Sequence, residues 1–152
     1  MVNLNLTALA VAATTFSIID FQNHAAIPEP IPSANGRCPV VASASTSFQW
    51  VFVVTSTADV YKIHPATTST LFLSYPGAGD GILYTAANVQ PAGLNLNVPS
   101  VNPALNTVQL LASDFNEYAL TSWPAVNGSN TSPLTWEVNT GRNEQIFTLV
   151  SS

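Results

Sequence analysis

The feature that most constrains how this chain folds is a pattern of alternating segments that recurs three times along its length. Thr46-Ser-Phe-Gln-Trp-Val-Phe-Val53 lies without gaps over Asn143-Glu-Gln-Ile-Phe-Thr-Leu-Val150, pairing Trp50 with Phe147 and Phe52 with Leu149. Leu94-Asn-Leu-Asn-Val98 offers a third copy between them, with Leu96 at the aromatic place. Upstream, Val60-Tyr-Lys-Ile63 followed by Leu71-Phe-Leu73 matches Val108-Gln-Leu110 followed by Tyr118-Ala-Leu120. In the first row Leu4 or Leu6, then Phe16-Ser-Ile18, take those two places at looser spacing. A middle strand completes each row: Pro39-Val-Val-Ala42, Gly81-Ile-Leu-Tyr84 and Pro133-Leu-Thr-Trp136.

Period-two alternation places one face of each segment in a core and the other in solvent. The joints are rich in turn formers, as in Pro76-Gly-Ala-Gly-Asp-Gly81, Pro99-Ser-Val-Asn-Pro103 and Asn127-Gly-Ser-Asn130. No interval carries a sustained helical stripe with caps, and Leu6 to Ala13 reads as strand plus loop. Four strands in each of three rows predict twelve strands in one all-β domain spanning 1–152, with repeats at about 1–54, 55–105 and 106–152. A β-sandwich or jelly roll is the alternative.

Composition narrows the function classes. Charged residues make up 7% of the 152, and Arg37, Lys62 and Arg142 are the only Lys or Arg side chains, giving a net charge of −5. A chain so poor in cations cannot neutralise a phosphate backbone, so nucleic acid is not an expected partner. Hydrophobic content of 47% with low charge is the reverse of the disordered signature. Cys38 is the only cysteine and forms no internal disulfide; it reads as a lone buried thiol. The apolar run Leu9 to Ala13 has no basic residue before it and Asn3 and Asn5 interrupt it, so no clear signal peptide is read. The expected location is cytoplasmic or non-classically secreted, with no membrane insertion, since no run of about 20 apolar residues exists.

Signatures of catalysis are missing. The sequence holds neither a Gly-x-Ser-x-Gly elbow nor a His-Glu-x-x-His pair, and His24 and His64 lie forty residues apart with no Cys or acidic cluster beside them. No metal, cofactor or enzymatic activity is expected. Gly77-Ala-Gly-Asp-Gly81 precedes a strand rather than a helix, and reads as a tight turn instead of a phosphate loop.

The threefold, twelve-strand scheme resembles the β-trefoil. Its last segment, Asn143-Glu-Gln-Ile-Phe-Thr-Leu149, is similar to the Asn-x-Gln-x-Trp-x-Leu closing strand of ricin-B-type lectin modules, with Phe147 in the Trp place. That resemblance implies that Trp50, Leu96 and Phe147 fill a central core layer. It also implies a shallow, single carbohydrate site for glycans of the galactose or mannose type. In such modules an apolar-Asp-apolar element supplies the acceptor of two sugar hydroxyls. Ile19-Asp20-Phe21 resembles it, whereas Ser74 and Thr121 stand in the other rows under the register that equates them. The implied site is Asp20 as acceptor, Asn23 and His24 as neighbouring hydrogen-bonding groups, and Tyr75 or Trp123 as the stacking aromatic, with Tyr84 a further aromatic beside a turn.

Small fungal β-trefoils that start without a signal and lack disulfides are similar in these respects. They open two other readings. Mycocypin-like proteins inhibit proteases, cysteine proteases above all, through surface loops, and Ala25-Ala-Ile-Pro-Glu-Pro-Ile-Pro-Ser-Ala-Asn-Gly36 is long and stiffened by three prolines. A lectin-like accessory subunit of a larger enzyme, of the kind seen in mushroom tyrosinase, would show an exposed apolar patch too large for a monomer.

Overall fold

The computed structural model describes residues 15–28, 38–67, 69, 71–75, 84–85, 95–113 and 115–151, with the backbone alone at 38, 39, 84, 85, 115 and 116. Several sequence expectations fall on other residues: the Leu4 or Leu6 strand, the 6–13 segment, the 77–81 turn and most of the proline-rich 25–36 loop. These lie outside the described residues, as do the side chains of Cys38 and Tyr84.

Among the described residues fourteen strands run in order. The first eight are β1 (Thr15–Ile19), β2 (Ala25–Pro28), β3 (Cys38–Ser43), β4 (Trp50–Val54), β5 (Val60–Pro65), β6 (Leu73–Ser74), β7 (Tyr84–Thr85) and β8 (Leu96–Asn97). Then come β9 (Ser100–Asn102), β10 (Thr107–Val108), β11 (Leu111–Ala112), β12 (Phe115–Ser122), β13 (Thr131–Val138) and β14 (Phe147–Ser151). Among the described residues the only helical turns are two short 3-10 segments, Pro103–Leu105 and Asn143–Gln145, and no helix is long and apolar enough to cross a membrane.

The pairing closes a ring. β1 pairs with β14 and β4, β4 with β5, β5 with β8, β8 with β11, and β10 with β14. Only Gln109 and Leu110 separate β10 from β11, so these are two halves of one barrel strand. Six strands therefore form a barrel, a closure that leaves the ring without free edges. Three hairpins stand on it: β2–β3, β6–β7 and β12–β13. β3 pairs with both β7 and β13, which gathers the hairpins together.

This is the β-trefoil, and the closed ring rules out the sandwich and jelly-roll alternatives. The count of fourteen differs from the expected twelve for two local reasons. One barrel strand is interrupted into β10 and β11, and β9 is a short addition that pairs with β10. With the halves taken as one and β9 set aside, twelve strands remain among the described residues.

The core follows the threefold pattern. Phe16 faces Trp50, Tyr61 faces Leu96, and Val108 faces Phe147 across paired strands, and all six are buried. Phe52, Val98 and Leu149 form the next buried positions, two residues on in each copy. Full burial of one such side chain contributes about 1.5–3 kcal/mol, so this layer is a main source of stability. Aromatic edges tighten it, with Phe16 to Phe52 at 5.5 Å and Phe52 to Tyr61 at 5.9 Å between centroids. The Trp50 indole N–H donates to the Ala26 carbonyl at 2.9 Å, tying the barrel to the first hairpin.

The register of the first row differs from expectation. Phe16-Ser-Ile18 belongs to β1, a barrel strand, and so corresponds to Val60-Tyr-Lys-Ile63 rather than to Leu71-Phe-Leu73. The second strand of this row is β2, whose Ala-Ala-Ile-Pro sequence has almost no alternation to betray it. Counting four residues on from the paired Phe16, Tyr61 and Val108 gives Asp20, Pro65 and Ala112, all buried. Asp20 thus leaves the end of a barrel strand, while Ser74 and Thr121 sit within hairpin strands.

Candidate functional site

Asp20 opens the turn between β1 and β2. Its N–H donates to the His24 carbonyl at 2.9 Å, the Asn23 N–H donates to the Asp20 carbonyl at 3.0 Å, and Asn23 adopts a left-handed φ of 66°. Asparagine tolerates that conformation better than most residues. The Asp20 carboxylate organises the turn from within. Its Oδ1 accepts from the Gln22 N–H at 2.9 Å and the His24 N–H at 2.8 Å, and its Oδ2 accepts from Gln22 Nε2 at 3.1 Å and from the Ser122 hydroxyl.

An ionised carboxylate offers about four lone-pair positions, and here four donors occupy them. Asp20 is 6% exposed. In this arrangement the carboxylate expected to accept sugar hydroxyls is a buried joint between the first hairpin turn and β12. Gln22 extends the joint, donating through Nε2 to the Trp123 carbonyl at 3.0 Å and accepting the Ala125 N–H at 2.9 Å.

This joint delivers Trp123 to the surface. The half-buried indole donates through Nε1 to Thr135 Oγ1 at 2.7 Å, and the Thr135 hydroxyl donates to Glu137 Oε1 at 3.0 Å. With its N–H edge held by β13, the ring presents a face on which Arg142 rests, the guanidinium carbon 5.2 Å from the centroid. Arg142 is itself exposed.

Arg142 is held in place by the residue that marked the closing motif. Gln145 is fully buried; its Oε1 accepts the Thr140 N–H at 2.9 Å and the Gly141 N–H at 3.1 Å. Its Nε2 donates to the Val138 carbonyl at 2.8 Å and to Thr121 Oγ1 at 3.1 Å. Asn139 adds to the clamp by accepting from Gly141 N–H at 3.2 Å and from Gln109 Nε2 at 2.8 Å. Gly141 has φ 70°, with open space where a Cβ would stand, so glycine serves the backbone here rather than the packing. In the first row Phe48 takes the place of Gln145 and packs edge-on against Trp50 at 5.1 Å. An apolar ring cannot clamp a loop in this way.

The expected residues divide accordingly. Asp20, Asn23, His24 and Trp123 share one neighbourhood, joined through Gln22 and Ser122. Asn23 is exposed, and His24 is half-buried with an Nδ1 that has no hydrogen-bond partner among the described residues. Tyr75 lies elsewhere: 4% exposed, it stacks on Tyr118 at 5.6 Å and meets the edge of Trp136 at 5.5 Å in the core. Its position beside a turn suggests a rim aromatic, but it is buried against Tyr118 and Trp136 of the β12–β13 hairpin.

Sequence reasoning missed Gln22, Thr135, Glu137 and Arg142 as members of this cluster. Arg142 entered only as a charge, although the Gln145 motif three residues later is a signal that the preceding loop is held. Among the described residues no three of His, Cys, Asp and Glu gather closely enough to hold a metal ion.

No family model matches the sequence, and no curated protein matches it. Solved structures match in fold. The designed threefold-symmetric protein ThreeFoil aligns with a TM-score of 0.69 at 15% identity, over 90% of this chain and 97% of its own. A lectin of Polyporus squamosus, bound to the human-type influenza-binding epitope Neu5Aca2-6Galb1-4GlcNAc, aligns with a TM-score of 0.69 at 14% identity. That match covers 92% of this chain and 49% of the lectin, so this chain spans about half of it. The BEL beta-trefoil aligns at 0.70 with 6% identity, over 93% and 95% of the two chains. At such identities the likeness is one of fold, and the fold is a β-trefoil.

Proposed function

We propose that this chain is a non-catalytic carbohydrate-binding protein whose single shallow site is the face of Trp123 on which Arg142 rests. The observation that carries the reading is an indole whose N–H edge is bonded to Thr135 while its face lies under the exposed Arg142 side chain. A pyranose presents a patch of C–H groups on one face and hydroxyls around its rim. An aromatic ring takes the first, and a few well-placed polar groups take the second. Glu137 stands on the N–H edge of the ring and can accept from hydroxyls, and Asn23 and His24 supply further polar groups from the neighbouring turn. Asp20 and Gln22 position this turn against Trp123 rather than touch the ligand. Residues of this type suit a hexose of the galactose or mannose type. The β-trefoil lectin among the structural neighbours supports the reading at the level of fold.

A glycan array tests it. Native protein should retain a defined subset of glycans, and Trp123→Ala should weaken them at least tenfold, about 1.4 kcal/mol, while melting near the native temperature. Full retention by the variant would move the site elsewhere.

A further inference from the structure

Building on the reading of Trp123 as a sugar platform, we propose that the glycan bound there carries a carboxylate, and that Arg142 is the group that takes it. Arg142 is one of only three Lys or Arg side chains in a chain of net charge −5. Among the described residues it has no ion-pair partner, and its guanidinium rests on the indole instead. Of the eight acidic residues Asp20 is buried, and none of the other described ones pairs with this cation. The chain instead holds it at one spot, through the Gln145 clamp on Thr140 and Gly141 that immediately precedes it.

The covered face sets up an exchange. A sugar that stacks on Trp123 has to lift the guanidinium from the ring and give up that cation–π contact. A neutral sugar returns nothing to the displaced cation. A sugar with a carboxylate at the edge of its stacked ring offers a planar, bidentate partner that matches the guanidinium fork, and charge-assisted pairs of this kind are the stronger hydrogen bonds. Glu137 stands beyond the N–H edge of the indole, where Thr135 donates to it. The site is thus polarised, with an acceptor for hydroxyls at one edge and a donor for an anion over the face. A uronate or a sialic acid linked to a hexose has that pattern of groups.

The test uses matched probes, sialyllactose against lactose and a glucuronate-terminated against a glucose-terminated glycan, titrated calorimetrically into native protein, Arg142→Gln and Arg142→Lys. The inference expects the carboxylated member of each pair to bind native protein about tenfold or more tightly, with the preference shrinking as salt is raised. Arg142→Gln should bring the ratio close to one, and Arg142→Lys should leave an intermediate ratio, since a point charge lacks the fork. Equal affinities for acidic and neutral members, or a preference that survives Arg142→Gln, would overturn it while leaving the Trp123 platform standing. Failure of the folded native protein to bind any of the four probes or any array glycan would overturn the platform itself, and this inference with it.

Discussion

Replacing Asp20 with alanine separates a structural carboxylate from a ligand-binding one. The side chain satisfies four donors, but their fates on its removal differ. The Gln22 and His24 N–H groups lie in a half-exposed turn where water can reach them, so each loses about 1 kcal/mol of net hydrogen bonding. Ser122 is fully buried, and its hydroxyl would lose its acceptor where water is excluded, at about 1–3 kcal/mol. Gln22 Nε2 keeps the Trp123 carbonyl. The sum is about 3–5 kcal/mol, or roughly 6–20 °C in melting temperature at 2–4 °C per kcal/mol for a chain of this size.

Asp20→Asn should cost less, about 1–2 kcal/mol. Its oxygen can still serve both turn N–H groups, and Ser122 can rotate to accept from the new amide. Its NH₂ would face Gln22 Nε2 donor to donor, and turning Gln22 over would break its bonds to Trp123 and Ala125. Urea unfolding of native protein, both variants, Ser122→Ala and the double variant Asp20→Ala/Ser122→Ala supplies the numbers. The two sites should couple by about 1–2 kcal/mol. An Asp20→Ala protein within 1 kcal/mol of native, or the absence of coupling, would refute the joint and restore Asp20 as a free acceptor.

Three further outcomes follow from the same structure. Trp50→Ala should destabilise by about 3–5 kcal/mol by emptying the core layer, and Trp50→Phe by about 1–2 kcal/mol by leaving the Ala26 carbonyl without its donor, both read from urea midpoints. Gln145→Leu should cost about 2–4 kcal/mol, because the Val138 carbonyl and Thr121 hydroxyl lose a buried partner, and fast proteolysis should then appear within 139–142. Burial, and next the nearby negative charge of Asp59, hold the Tyr61 phenol above its ordinary value. The folded state then keeps that proton longer than the unfolded chain, so this part of the stability is whole below about pH 10 and falls as pH rises beyond it. Tyr61→Phe lacks the effect, and the stability gap between native and variant should narrow from pH 9 to pH 11; parallel curves would contradict it.

The threefold barrel was legible because its determinants are local and repeated. Trp50, Leu96 and Phe147 each sit in a short alternating run, and period two alone orients them inward. The first row was misregistered because alternation does not distinguish a barrel strand from a hairpin strand. With β2 reduced to Ala25–Pro28, Phe16-Ser-Ile18 was the only clear alternation to assign there. The function of Asp20 was hidden for a different reason: its decisive partner, Ser122, lies 102 residues away, and Ile-Asp-Phe looks the same whether the carboxylate faces solvent or a distant hydroxyl. Tyr75 shows that a place beside a turn does not imply exposure when the ring packs against Tyr118 and Trp136 of the β12–β13 hairpin. Arg142 and Trp123 meet only through two loops held by Gln145 and Gln22, a tertiary contact with no signature in spacing.

The central claim, that a sugar docks on Trp123, is most directly tested by the three indole N–H signals in a nitrogen-15 correlation spectrum during titration with a glycan retained on the array. Trp50 and Trp136 are buried in the core and should hold their positions, whereas the Trp123 signal, identified by its loss in Trp123→Phe, should move and saturate with the binding curve. Saturable glycan binding that leaves the Trp123 signal unmoved would contradict the account.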